Sequence, residues 1–366
     1  MNMKIVAAIL ALIIIGAGGA VGVWYLLAPK PNPYDFAIVF ATGGLGDKSF
    51  NDAAFKGAND IKAESGLQFT YSTPSVIAQY EPMLRAFASH TEWLDPYKII
   101  IAIGFDQAAA LQAVAEDYPE QNFAIVDMYI DPGTYPKVAS LLFNEHEGSA
   151  LVGALAALYT TTNKLGFVGG LSIDLIHKFG AGYYWGANLT KPSLNIHTDV
   201  PGPAVVKGYV GDWSNIPAGK ALADIMYQTN GTDIIYAAAG RSGLGVIQSA
   251  YENNATLGPI WAIGVDSPQM YLGCADPENP APPTVVLTSM LKRVDVAVHD
   301  IVKSACVTLD FAGGVYIFNL ANNGVGWENN PALKVIPPAY IAQLNMIATG
   351  IINGTFTVPT NFAWLA

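Results

Sequence analysis

The sequence predicts an α/β protein of two doubly wound lobes behind an apolar N-terminal segment, and three observations lead there. The chain has 366 residues, 52% of them hydrophobic and 13% charged, enough to bury a sizeable core and long enough for two domains. From Tyr34 onward, short Val- and Ile-rich runs alternate with amphipathic stretches of about 12 to 16 residues, the pattern of βα units around parallel sheets. Ten such runs are more than one open sheet comfortably holds, so two sheets accommodate them better.

In order, the strand candidates are Phe36 to Phe40, Gln68 to Ser72, Ile99 to Ile103, Ala124 to Val126, Val138 to Phe143, Leu165 to Val168, Ala204 to Val210, Ile234 to Ala237, Trp261 to Val265 and Val285 to Thr288. Between them fall helix candidates such as Asn51 to Glu64, Gln107 to Ala115, Glu147 to Tyr159, Ala218 to Gln228, Leu244 to Glu252 and Val294 to Leu309. No repeat of short period runs through them, which argues against a solenoid or propeller. The expected organisation is an anchor and linker over 1–33, an N-terminal lobe of 34–143 plus about 267–310, and a C-terminal lobe of 144–266 plus about 311–366.

The stretch from Ile5 to Ala28 carries no charge over 24 residues, follows Lys4 and precedes the Pro-rich Pro29 to Pro33. That length suits a membrane-spanning helix, and Trp24 to Leu27 carry the apolar run beyond the usual core of a cleaved signal, so an uncleaved anchor is expected with the body extracytoplasmic. Four N-x-[ST] sequons, at Asn188, Asn230, Asn254 and Asn353, fit an exported chain. Cys274 and Cys306 are the only cysteines, and both a bridge and two buried free thiols are open to them. A net charge of -11 without a basic cluster disfavours nucleic acid and anionic membrane surfaces as partners.

Open parallel sheets bind ligands just beyond strand carboxyl ends, so residues directly after strands deserve weight. After the first strand comes Ala41 to Asp52, glycine-rich but matching neither phosphate-binding pattern; it presents Phe50 and Asn51 beside a helix start. Its alternative role is local, with Ser49 capping the helix and Phe50 packing inward. Asp127 and Asp266 each follow an apolar strand, where a carboxylate either accepts hydrogen bonds from ligand hydroxyl or N–H groups or caps the next helix. The small residues up to Gly240 permit close approach to the backbone, Lys292 is either a donor to a ligand or a surface residue, and Trp213 either stacks on a ring or covers the core. For catalysis the sequence is thin. Five histidines show no metal-ligand spacing, no nucleophile elbow or reactive cysteine context is present, and no enzyme, metal or cofactor is expected.

Six ordered segments resemble the basic membrane protein family: Gly46 to Asp52, Ser140 to Ser149, Gly166 to Gly170, Ala237 to Gly240, Ile263 to Asp266 and Leu287 to Val298. The best-understood branch of that family is the purine nucleoside receptor of ABC transporters. The resemblance implies a type I periplasmic-binding-protein fold, a nucleoside in the interlobe cleft and ABC permease subunits as partners. Carried over by position, Phe50 and Trp213 would stack the base, Asn51 and Asp127 would address it, and Gly240, Asp266 and Lys292 would hold the ribose. Arg241 and Ala41 depart from the family's pattern, Arg241 by adding positive charge that favours an acidic or phosphorylated ligand. The absence of a cysteine near the N-terminus leaves the apolar helix as the anchor. The alternative function is a ligand-sensing ectodomain that binds the same class of molecule for signalling.

Overall fold

The computed structural model describes residues 30–91, 93–196 and 204–365. The expected anchor over Ile5 to Ala28 lies outside these residues, as does His197. Among the described residues no helix is long and apolar enough to cross a membrane.

Two six-stranded sheets carry the fold. In the first, β1 (Phe36–Val39), β2 (Phe69–Ser72), β3 (Ile99–Ala102), β4 (Phe123–Val126), β5 (Val138–Phe143) and β11 (Gly314–Phe318) run in the order β11-β5-β4-β3-β1-β2, every pair parallel. In the second, β6 (Leu165–Gly169), β7 (Val205–Tyr209), β8 (Ile234–Ala238), β9 (Trp261–Asp266), β10 (Val286–Lys292) and β12 (Val325–Trp327) run in the order β12-β10-β9-β8-β6-β7. Here β12 is antiparallel to β10, and the other pairs are parallel. β1, β3 and β4 are buried along their whole length, as strands covered by helices on both faces must be, which explains their unbroken apolar runs.

The helices are α1 (Phe50–Ser65), α2 (Tyr80–Ser89), α3 (Ala108–Asp117), α4 (Glu145–Tyr159), α5 (Asp174–Thr190), α6 (Ile216–Asp224), α7 (Gly243–Leu257), α8 (Val294–Lys303) and α9 (Pro338–Ile352). Two of the expected helices end in a wider π turn, α6 at Ile225–Thr229 and α8 at Ser304–Thr308.

Strand pairing divides the C-terminal third differently from the sequence expectation. Residues 267–292 were expected in the first lobe, but β10 extends the second sheet by pairing with β9. Residues from 311 were expected in the second lobe, but β11 pairs with β5 and closes the first sheet's edge. An apolar run shows that a strand exists without showing which of two sheet edges it joins; the helix that follows β10, α8, does pack on the first lobe's α1.

The chain therefore passes between the sheets three times: from β5 into α4, from β10 into α8, and from β11 into β12. The crossings bond to one another. Asn144 N–H donates to the Phe318 carbonyl at 2.9 Å, and Arg293 N–H donates to the Gly324 carbonyl at 2.9 Å. Cys274 and Cys306 are buried free thiols rather than a bridge.

Candidate interlobe binding site

The carboxyl ends of strands from both sheets converge on one cleft, open to solvent, with about 710 Å³ free of protein atoms when the solvent at its mouth is counted. Phe50, Asn51, Asp127, Trp213, Gly240, Asp266 and Lys292, the residues singled out in the sequence, all line it.

On the first lobe, the loop before α1 is organised by Asp47. Its buried carboxylate accepts the backbone N–H groups of Ser49, Asn51 and Asp52 at 2.9, 2.8 and 3.1 Å, satisfying donors that a helix start leaves open. The alternative role of Ser49 as the cap is thereby corrected. Ser49 makes no side-chain cap, and its hydroxyl donates across the cleft to Asp266 Oδ2. Asn51 joins loop to strand, its Oδ1 accepting Ala41 N–H at 3.0 Å and its Nδ2 donating to Asp47 at 3.1 Å. One amide N–H and a lone pair remain to it for a ligand.

Asp127 and Asp266 occupy equivalent places, at the ends of β4 and β9. Both have left-handed backbones, φ 69° and 64°, a region that is uncommon for residues other than glycine, asparagine and aspartate. Strained conformations of this kind concentrate at functional sites. They leave both carboxylates among a shared set of charges. Lys292, 2% exposed, donates to Asp127 Oδ2 at 2.6 Å and pairs with Glu145 Oε1 at 3.0 Å. Its ammonium also lies 5.3, 5.0 and 5.6 Å from the ring centres of Phe50, Phe143 and Phe179, within cation–π range. Lys292 is thus no surface residue.

One buried ammonium faces three carboxylates, those of Asp127, Glu145 and Asp266. Burial raises the Asp127 pKa to about 6 against the pull of Lys292. It raises Asp266 to about 7, opposed by the Lys292 charge and the Ser49 hydroxyl. Burial works against the Lys292 ammonium, but the neighbouring acids outweigh it and raise its pKa above the ordinary value. Asp127 Oδ1 is buried with no hydrogen-bond partner among the described residues. A cleft with surplus carboxylate oxygen suits a ligand rich in O–H and N–H donors.

On the second lobe, the Trp213 indole packs against Gly170. A β-carbon there would stand 2.2 Å from Trp213 Cζ3, so only glycine fits. Ser242 fixes the same loop, its backbone N–H donating to the Trp213 carbonyl at 3.0 Å and its hydroxyl to the Asp212 carbonyl at 2.9 Å. Gly240 turns with φ 55° and lets the chain pass behind the indole. Arg241 lines the cleft and remains exposed.

Sequence reasoning missed three acids of the site, Asp47, Glu145 and Asp106. Glu145, in the first turn of α4, is fully buried against Lys292. Asp106 also lines the cleft, but Ile103, Gly104 and Phe105 separate it from β3, so the rule that picked out Asp127 and Asp266 directly after their runs passed over it. Among the described residues no group of three or more His, Cys, Asp or Glu is arranged to hold a metal ion.

Two α/β lobes with parallel-sheet cores and a small-molecule cleft between them define a solute-binding protein of the periplasmic-binding-protein type. The chain belongs to the basic membrane protein family: the family model described as ABC transporter substrate-binding protein PnrA-like matches residues 36–361. It is 33% identical to the ABC transporter nucleoside-binding protein BmpA of Lactococcus lactis, over 88% of each chain. It is 30% identical to an uncharacterized lipoprotein of Pyrococcus horikoshii, over 91% of this chain and 78% of the relative. A solute-binding protein of an Aeropyrum pernix ABC transporter system, solved by crystallography, superposes with a TM-score of 0.75 at 28% identity, covering 91% of this chain and 95% of that one.

Proposed function

We propose that this protein is an extracytoplasmic receptor that binds a nucleoside, preferentially a purine one, and delivers it to ABC permease subunits. The observation that carries the reading is that two aromatic side chains, an amide, two acids and a buried lysine line one interlobe cleft. Phe50 and Trp213 stack the base, each face contributing about 1–3 kcal/mol by analogy with single-strand binders. Asn51 and Asp127 address the base edge. Gly240, Asp266 and Lys292 hold the ribose, whose diol donates to the Asp266 carboxylate while Lys292 donates to a sugar oxygen. The name of the Lactococcus relative supports this ligand class. The apolar segment from Ile5 to Ala28 holds the body at the outer face of the cell membrane, a placement supported by the lipoprotein name of the Pyrococcus relative.

Because both lobes contribute to the pocket, a bound nucleoside favours the closed arrangement. Calorimetric titration of the full-length protein with adenosine, guanosine, inosine, uridine, cytidine and one nucleoside monophosphate tests the proposal. Sub-micromolar binding of a nucleoside is the expected result. Binding of the monophosphate alone would mean that Arg241 has redirected the pocket to phosphorylated ligands, and binding of none would overturn the nucleoside reading.

A further inference from the structure

We infer that Asp106 selects among bases, its carboxylate accepting a hydrogen bond from an amino group on the edge of the base stacked at Phe50. The inference rests on the nucleoside reading above and adds a residue and a chemical preference to it.

Asp106 lies two residues beyond Gly104, in the single turn that joins β3 to α3, and lines the cleft. A common reference point shows that it lies near the stacking ring. A β-carbon on Gly104 would stand 3.0 Å from Asp106 Oδ1, 3.4 Å from Ala41 Cβ and 3.9 Å from Phe50 Cε1. The carboxylate oxygen and the edge of the Phe50 ring therefore flank one small space, walled by a methyl group that makes no hydrogen bond. The edge of a base lying on Phe50 would come within reach of that oxygen.

The carboxylate is held in place from behind. Tyr80, fully buried, donates its hydroxyl to Asp106 Oδ2 at 2.8 Å, and the same hydroxyl accepts Thr42 N–H at 3.0 Å. Both roles of the phenol are occupied, so its orientation and that of the carboxylate are set before any ligand arrives. The remaining partner is Asp106's own backbone N–H, which leaves about two of the roughly four lone-pair positions of the carboxylate open. An ionised carboxylate only accepts. Facing a base amino group it is satisfied, whereas facing a keto oxygen or a bare ring edge it is repelled or left unpaired in a partly buried wall. Sites built to hydrogen-bond a ligand group discriminate strongly against analogues lacking it.

The test uses two nucleoside pairs that differ by one amino group, adenosine with purine riboside and guanosine with inosine, titrated into the full-length protein and into Asp106→Leu, Asp106→Asn and Tyr80→Phe. The wild type is expected to favour the amino-bearing member of at least one pair by about tenfold or more. In Asp106→Leu that ratio falls towards unity, in Asp106→Asn it falls several-fold, and in Tyr80→Phe, where the acid stays but loses its anchor, it falls less. The ratio is the readout, and measurable binding of purine riboside or inosine shows that a variant is folded. Should Asp106→Leu bind nothing, the isosteric Asp106→Asn decides. The inference is overturned if the wild type shows no amino preference in either pair, or if both Asp106 variants keep the wild-type ratio. If the wild type binds no nucleoside at all, the receptor reading fails with it, and that outcome is distinct from tight binding without amino preference.

Discussion

The two lobes share a plan and differ in what they bring to the cleft. Setting aside the edge strands β11 and β12, their sheets have matching strand order and matching parallel pairing, and each ends an inner strand with an aspartate in left-handed conformation, Asp127 in one and Asp266 in the other. The chemistry is unequal. The first lobe contributes Asp47, Phe50, Asn51, Asp106 and Asp127, all neutral or acidic, whereas the second contributes Lys292 and Arg241 beside Asp266 and Trp213. A repeated fold thus supplies equivalent positions, and the side chains placed on them make the cleft directional.

If the second lobe's cation is what balances the first lobe's acids, removing it should have the largest effect. Lys292→Met leaves Asp127 and Glu145 buried and uncompensated, and we expect a loss of about 3–5 kcal/mol in chemical denaturation together with loss of nucleoside binding. A variant as stable as the wild type would show that the acids are held by something else. Asp266→Ala should weaken nucleoside binding by more than about tenfold, the scale of a hydrogen bond to a charged group, as read by calorimetry. Unaltered affinity would remove Asp266 from the site and leave Asp127 as the only functional member of the pair. Gly170→Ala pushes a methyl group into the Trp213 indole, so nucleoside affinity should drop by about tenfold and the tryptophan fluorescence response to ligand should disappear.

The smallest effect is a pH dependence. Asp266 has a folded pKa of about 7, raised by burial above its ordinary 3.8, so the folded state binds the proton more tightly than the unfolded chain. Its contribution to stability is complete below about pH 4 and is lost as the pH rises through about 7. Asp127 acts in the same sense through about 6. The urea midpoint of the ligand-free protein should therefore have a downward slope between pH 5 and 7.5 that flattens in Asp266→Asn; an identical slope in the variant would exclude Asp266 as its source. Nucleoside binding runs the other way, since ribose hydroxyls donate to the ionised carboxylate, and affinity should rise several-fold across the same interval.

The strand ends were legible in the sequence because buried parallel strands are continuous apolar runs and the residue after each run stands out. Asp127 and Asp266 could be located on that ground, and Phe50 and Lys292 in the segments that follow such runs, although it was the family resemblance that favoured a ligand role for Lys292 over a surface one. Helix α5 was not legible. It packs on α4 so closely that β-carbons on Gly182 and Gly186 would stand 2.2 and 1.9 Å from the carbonyl oxygens of His146 and Ala150, so both must be glycine. Gly180, Gly182 and Gly186, each unfavourable in a helix interior, lower the helix propensity of the segment. The edge strand β12 is only three residues long, too short to show alternation. Glu145 was hidden for another reason: an acid in a first helical turn is ordinarily solvated, and only the fold brings Lys292 to it from 147 positions along the chain.

The three crossings between the lobes have a bearing on proteolysis. A single cut in any one of them leaves two covalent passages intact, and the crossings are also hydrogen-bonded to each other through Asn144 with Phe318 and Arg293 with Gly324. Cleaved protein would separate into two fragments on a denaturing gel while still eluting as one particle under native conditions, so intact mobility in one assay says nothing about chain integrity in the other.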